Sequence, residues 1–290
     1  MDTEKCRVLF TVIQQGSFSA AAKILGYTPS GVMRSVNGLE EEVGFSLLER
    51  SPQGVNVTKD GERILPMIRR ILHWEEQIRQ VGAQIAGLDI GNVAVGTYFS
   101  VAANWLPQII KSFRMDYPQI HVAIEECGSR DMYKGLEERR LDCCITTKRE
   151  FSGEWIALCR DEMMVWLPAA HRLAKGKAVP VEEIAKEPFI RPLPGHDTDV
   201  EKVLAREGIL CQEHVTSVDN YTTYRMVEAG LGISMNNKLM TASWHGQVTV
   251  LPMDPPHYIE LGIAVPSLRH ASPAVKRFIA YVKQWVQENY

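Results

Sequence analysis

Along PSGVMRSVNGLEEEV, residues 29–43, the side chains of Ser30, Met33, Arg34 and Asn37 recur at intervals of three and four. A helix there sets them on one face and turns Val32, Val36, Leu39 and Val43 inward as an apolar stripe. The outward set has a definite chemistry. Arg34 offers a planar fork of donors that fits the N7 and O6 acceptors of a guanine. Ser30 can bond a phosphate or a base edge, and Met33 can lie on a thymine methyl. Thr28 is a good N-cap, and Pro29 occupies the first helical position, where its missing N–H costs nothing.

A second set is scattered through the C-terminal two thirds. Thr97 and Ser100 open one expected helix, Ser129 opens another, Thr147 ends a strand, and Ser217 with Asp219 marks a crossover. Hydroxyls beside free helix N–H groups suit a small ligand, an anion foremost. The same residue types also serve simply as helix caps. Arg191 and His196 follow a strand in a Pro/Gly loop. Arg191 is placed to face the same ligand, whereas exposed surface is the simpler reading of His196.

Catalytic constellations are poor. GLGISM at 230–235 lacks the third glycine of a dinucleotide fingerprint and does not open the first βαβ unit. There is no G-x-S-x-G, no H-E-x-x-H and no phosphate-binding loop, so neither enzyme nor cofactor nor metal is expected. The cysteines at 6, 127, 143, 144, 159 and 211 show no C-x-x-C spacing and read as buried thiols. A redox sensor acting through Cys159 or Cys211 is the alternative, and a small-molecule enzyme a more distant one. The Glu40–Glu42 run reads as a solvated helix face.

These residues need elements to carry them. A chain of 290 residues predicts two domains and a connector. Its net charge is −3, and residues 1–70 hold nine Lys/Arg against eight Asp/Glu, so any nucleic-acid contact must be a local patch. The N-terminus MDTEKCRVLF has no apolar core of a leader, and no stretch approaches the ~18 apolar residues of a membrane span, which predicts a cytoplasmic protein away from membranes.

Residues 4–15 predict a first helix. A second, capped by Ser17 or Ser19, carries Ala20, Ala21 and Ala22 for close approach and stops at Gly26. The helix of the outward set follows, then FSLLER and VNVT around the turn SPQG. Two helices joined by a tight turn and followed by a hairpin form a winged helix-turn-helix, whose second helix fits a major groove. Arg50 and Gln53 on the wing can reach backbone or minor groove.

From Thr58 a heptad appears, with Ile64, Ile71, Ile78 and Ile85 at a, and Met67, Trp74, Val81 and Leu88 at d. An unbroken seam of this kind argues for a helix pairing with its own copy. Pro66 should bend it on the outer side of the seam, and Gly87 closes it. Beyond Asp89, strands and helices alternate: one helix over VAANWLPQIIKSFRMDY with Val101, Trp105, Ile109 and Phe113 inward, another over 131–140, then further α/β units to a closing helix. The pattern predicts a parallel sheet in two α/β lobes joined by crossing strands around a cleft.

Residues 10–61 resemble the winged helix-turn-helix of LysR-type transcriptional regulators, through GSFSAAAKIL, Val32-x-Arg34-x-Val36-x-x-Leu39-Glu40-x-Glu42-x-Gly44, Leu48-x-Arg50 and Val57-Thr58-x-x-Gly61. LPQIIKSFRMDYPQIHV and VEAGLGIS are similar to segments of the family's effector domain, so the likeness spans nearly the whole chain. The family usually has Gln-Pro or Gln-Ser at Pro29-Ser30 and Ser at Met33, which implies an atypical operator preference.

The resemblance implies a DNA-binding domain over 1–58, with Ser17, Pro29, Ser30, Met33, Arg34, Asn37, Arg50 and Gln53 at double-stranded operator DNA. It implies a dimerisation helix over 59–88 and a periplasmic-binding-protein-like effector domain over 89–290. In that domain lobe I covers about 89–161 and 267–290, and lobe II about 162–266. The effector would meet Thr97, Ser100, Ser129, Thr147, Arg191, Ser217 and Asp219. Two winged helices would sit on an interrupted inverted repeat, and dimers would pair into a homotetramer. Effector binding would close the lobes, rearrange the dimers and alter DNA bending, provided the ligand prefers one arrangement.

Overall fold

The computed structural model describes residues 1–51 and 54–290. They fall into two compact units, Met1–Gly91 with Glu137–Arg140, and Asn92–Leu136 with Leu141–Tyr290. Gln53, Pro52 and the side chain of Arg50 lie outside the described residues.

The first unit opens with α1 (Thr3–Gln15), α2 (Phe18–Leu25) and α3 (Pro29–Val43). Asp2, Ser17 and Thr28 cap them by accepting from the N–H groups of Glu4, Ala20 and Gly31. Ser17, not Ser19, is therefore the cap of α2. Val8, Leu9 and Val12 meet Ala21, Ala22, Val32, Val36 and Leu39 in one buried core, and the small alanines let α2 lie close. Strand β1 (Leu48–Ser51) pairs antiparallel with β2 (Gly54–Val57), Leu48 opposite Val57.

Helix α4 (Lys59–Ile85) is capped by Thr58 and runs unbroken through Pro66. It carries two apolar stripes. Ile64, Leu65, Ile68 and Leu72 pack on the three-helix core. Met67, Trp74, Ile78, Val81 and Ile85 are exposed, as is Leu88 just beyond the helix end. Ile64, expected in the seam, belongs to the first stripe, because the opening turns of α4 dock on α1–α3 before the heptad is free to face outward. Gly61 belongs to the same docking. A Cβ there would lie 2.5 Å from the Leu47 carbonyl oxygen, so the glycine lets the chain pass.

The second unit runs through β3 (Gly91–Thr97), α5 (Phe99–Asn104), α6 (Leu106–Asp116), β4 (Ile120–Glu126), α7 (Ser129–Glu137) and β5 (Cys143–Thr147). It continues with β6 (Glu154–Pro168), β7 (Val179–Pro180), α8 (Val181–Ile184), β8 (Pro188–Pro192), α9 (Asp199–Arg206) and β9 (Gln212–Ser217). It closes with α10 (Asn220–Glu228), β10 (Ser234–Asn237), β11 (Val248–Asp254), β12 (Tyr258–Val265) and α11 (Pro273–Asn289). The one helix expected over VAANWLPQIIKSFRMDY is two. Pro107 has no N–H to continue α5, and the break falls at Trp105. The predicted face survives, since Val101, Trp105, Ile109 and Phe113 are all fully buried. Helix α7 starts at Ser129 and stops at Glu137, short of the expected 131–140.

The main sheet has the order β4-β3-β5-β12-β6-β11-β7, with β10 also on β6. It is mixed rather than all parallel: β3 and β5 run together, while β12 is antiparallel to both β5 and β6. Strand β6 is 15 residues long and serves both lobes. Lobe I has the core of Val93, Val95, Ile145, Phe113 and Phe278, and lobe II that of Met163, Val165, Leu167, Phe189 and Met235. Leu261, Ile263 and Val265 of β12 lie in the lobe I core. The chain thus re-enters lobe I within β12, before the expected 267, because β12 must pair with β5. Strands β8 and β9 form a separate parallel pair. In the GLGISM segment, a Cβ on Gly232 would collide with the Pro188 carbonyl, so that glycine serves a close backbone approach. No helix among the described residues is long and apolar enough to cross a membrane.

Candidate nucleic-acid interface and effector cavity

On α3 the structure brings Ser30, Met33, Arg34 and Asn37 to one surface groove with Gly38 and Glu41. Ser30, Arg34 and Asn37 are exposed, as is Pro29 at the start of the helix. Arg34 has no ion pair or hydrogen bond among the described residues, so its fork of donors is available. Met33 lines the groove with them but is half-buried, its other side packed against the helical core. Ser17 sits apart from this groove, its hydroxyl accepting the Ala20 N–H at 3.3 Å.

The solvated reading holds for Glu41 and Glu42, which are exposed, and is corrected for Glu40. Glu40 accepts the N–H groups of Leu47 at 2.7 Å and Leu48 at 3.0 Å, tying the wing strand β1 to α3. Glu42 accepts from Lys5 at 2.7 Å and pairs with the chain's amino terminus at 3.1 Å. Glu40→Ala strips two backbone donors of their charged partner and is expected to cost about 2 kcal/mol. Thermal denaturation, with hydrogen exchange at the Leu47 and Leu48 amides, checks this.

Within the second unit a cavity of about 480 Å³ opens between the lobes. The segment after β3, the end of β4 with the start of α7, the approach to α9 and the start of α10 all line it. Of the residues expected there, Ser100, Ser129 and Asp219 line it and Thr97, Thr147, Arg191 and Ser217 do not. Each exclusion has a cause. Thr97 donates its hydroxyl to the Ile145 carbonyl at 3.0 Å, joining β3 to β5. Arg191 is held by Glu201 and Glu213. Ser217 donates to the Asp219 carbonyl at 3.0 Å. Thr147 is enclosed in a network that ties one lobe to the other.

That network centres on Arg149, whose side chain is only 9% exposed. From lobe I it donates to Asp197 and to Asp199 of lobe II, each at 2.9 Å. Thr147 donates to the Asp199 carboxylate at 3.1 Å and accepts from Arg149 at 2.8 Å. The Tyr98 hydroxyl lies 2.5 Å from Ser129 Oγ and 3.1 Å from Thr147 Oγ1. Ser129 also donates to the Asp197 carbonyl at 3.3 Å. Apart from Ser100, the hydroxyls expected to hold an anion are therefore engaged with the protein's own groups.

Two family models account for the chain: "Bacterial regulatory helix-turn-helix protein, lysR family" over residues 3–62, and "LysR substrate binding domain" over residues 86–287. The chain belongs to the LysR family of transcriptional regulators. It is 28% identical to YvbU, an uncharacterised HTH-type transcriptional regulator of Bacillus subtilis, over 98% of each chain. Its fold matches full-length OxyR C199D of Pseudomonas aeruginosa with a TM-score of 0.78 at 23% identity, covering 99% of this chain and 95% of that one. Full-length CbnR in complex with its target DNA matches with a TM-score of 0.71 at 17% identity, covering 98% and 100%.

In this LysR-type regulator, sequence reasoning missed Tyr98, Glu126, Arg149, Asp197 and Asp199, while His196 is exposed as expected and also lines the cavity. Asp197 and Asp199 flank the Thr198 cap of α9, a placement visible in the sequence, but their partner Arg149 is 50 residues from Asp199. Burial, then the nearby charge of Asp219, raises the Glu126 carboxyl above its ordinary value. Burial also pushes the thiols of Cys159 and Cys211 up to about 11, away from the thiolate that a reactive cysteine needs.

Proposed function

We propose that this regulator reads its operator with the outer face of α3, through Ser30, Arg34 and Asn37, with Pro29 and Ser17 beside the contact and Arg50 and Gln53 on the wing. Arg34 carries this reading, because its exposed guanidinium lines the α3 groove, has no partner among the described residues and suits a guanine edge. The domains divide as 1–58, 59–88 and 89–290. Dimers form through the exposed seam of α4 and pair into tetramers, and the protein acts in the cytoplasm without enzymatic activity.

The effector is a small molecule bound in the cavity at Ser100, Ser129 and Asp219. Of the hydroxyls at Thr97, Ser100 and Ser129 expected to hold an anion, Thr97 and Ser129 donate to internal carbonyls, which leaves Ser100 alone to serve a ligand. Selection by the full chain from a pool of random duplexes tests the DNA reading. Enrichment of an interrupted inverted repeat is expected, and recovery of duplexes without common sequence would refute it.

A further inference from the structure

We infer that the effector cavity takes a small organic cation, an amine or guanidinium compound, held between Glu126 of lobe I and Asp219 of lobe II. The inference rests on the reading of this cavity as the effector site. Glu126, Asp131, Asp197, Asp199 and Asp219 line the cavity, against the guanidinium of Arg130 and the imidazole of His196. Asp197 and Asp199 are already matched by Arg149 behind the wall. Glu126 has no hydrogen bond or ion pair among the described residues, and the Asp219 carboxylate accepts the N–H of Thr222 at 2.6 Å.

Helix ends do not reverse this balance. Helices α7, α9 and α10 start at the cavity, and each helix N-terminus is worth roughly half a positive charge. Helices α7 and α10 each have a carboxylate of their own at Asp131 and Asp219, and α9 has Asp199, which it shares with Arg149. Glu126 is exposed to the cavity it shares with Asp219, and partial burial together with the Asp219 charge raises its carboxyl above the ordinary value. A cation between them relieves both effects, and it draws on opposite lobes at once.

The rest of the wall fits an organic cation. Tyr98, Phe99 and Tyr221 line the cavity, and aromatic rings attract ammonium and guanidinium groups to their faces. Ser100 is 2% exposed, lines the cavity, and its hydroxyl has no partner among the described residues. A ligand N–H can donate to it.

Thermal-shift and calorimetric titration of the full chain with benzylamine against benzoate, and with 1,4-diaminobutane against succinate, tests the inference. The variants are E126Q with D219N, the latter keeping an N-cap acceptor, and S100W, which fills the cavity. G128F, at an exposed lining position, replaces S100W if that variant melts early. The amines are expected to bind, at least tenfold more weakly in E126Q/D219N and not at all in the filled variant. Binding of benzoate or succinate alone, lost on filling, would overturn the cation and leave the effector cavity standing. Amine binding that survives filling would overturn the cavity reading itself. No shift with either amine would overturn the cation.

Discussion

Replacing Ile78 and Ile85 with lysine is expected to turn the protein into a folded monomer. The two side chains are 73% and 84% exposed in the single chain, the largest exposures along the seam. In a pair of helices each would be buried, for roughly 1.5–3 kcal/mol per side chain. Four such side chains lie at a dimer's two copies of these positions, so the double variant forfeits about 6–12 kcal/mol and adds repulsion between symmetry mates. That is more than four decades of dimer affinity. The monomer should melt as before, because the stripe of Ile64, Leu65, Ile68 and Leu72 that docks α4 on the helical core is untouched. Operator affinity should fall with the dimer, since two half-sites then bind as separate events. Sedimentation velocity reads the outcome, and an unchanged oligomer would place the interface elsewhere.

Arg34→Ala is expected to weaken operator binding by about 1–3 kcal/mol and to blur preference at one base pair per half-site. Arg34 is exposed and without a partner among the described residues, so its loss should leave folding unchanged and act on recognition alone. Arg50→Ala on the wing provides the contrast. A phosphate contact there weakens all duplexes alike and flattens the salt dependence. Titrations of the selected operator and a scrambled duplex at two salt concentrations separate the cases. Equal losses on both duplexes for Arg34→Ala would make it a backbone contact, and no loss would remove α3 from the groove.

The N-terminal unit was legible in the sequence because its signals are local. Thr28 and Pro29 start α3, Val32, Val36 and Leu39 set its inner face, and caps and periodicity act within a turn or two. The heptad of α4 was visible for the same reason. That Ile64 leaves the seam was not, because only the docked core decides which of two overlapping stripes is covered first. Glu40 looked like solvated surface until its partners, the Leu47 and Leu48 amides, were brought beside it by the wing. The cavity was the least legible part. Thr147, Arg149 and Asp199 meet across 52 residues of chain, and Glu126 and Asp219 face the same space from different lobes. Sequence alone determined the family, the helical order and the outward face of α3, where neighbours along the chain are neighbours in space. Tertiary structure alone decided which hydroxyls and charges face the ligand, because a polar side chain is free only if no distant partner reaches it first.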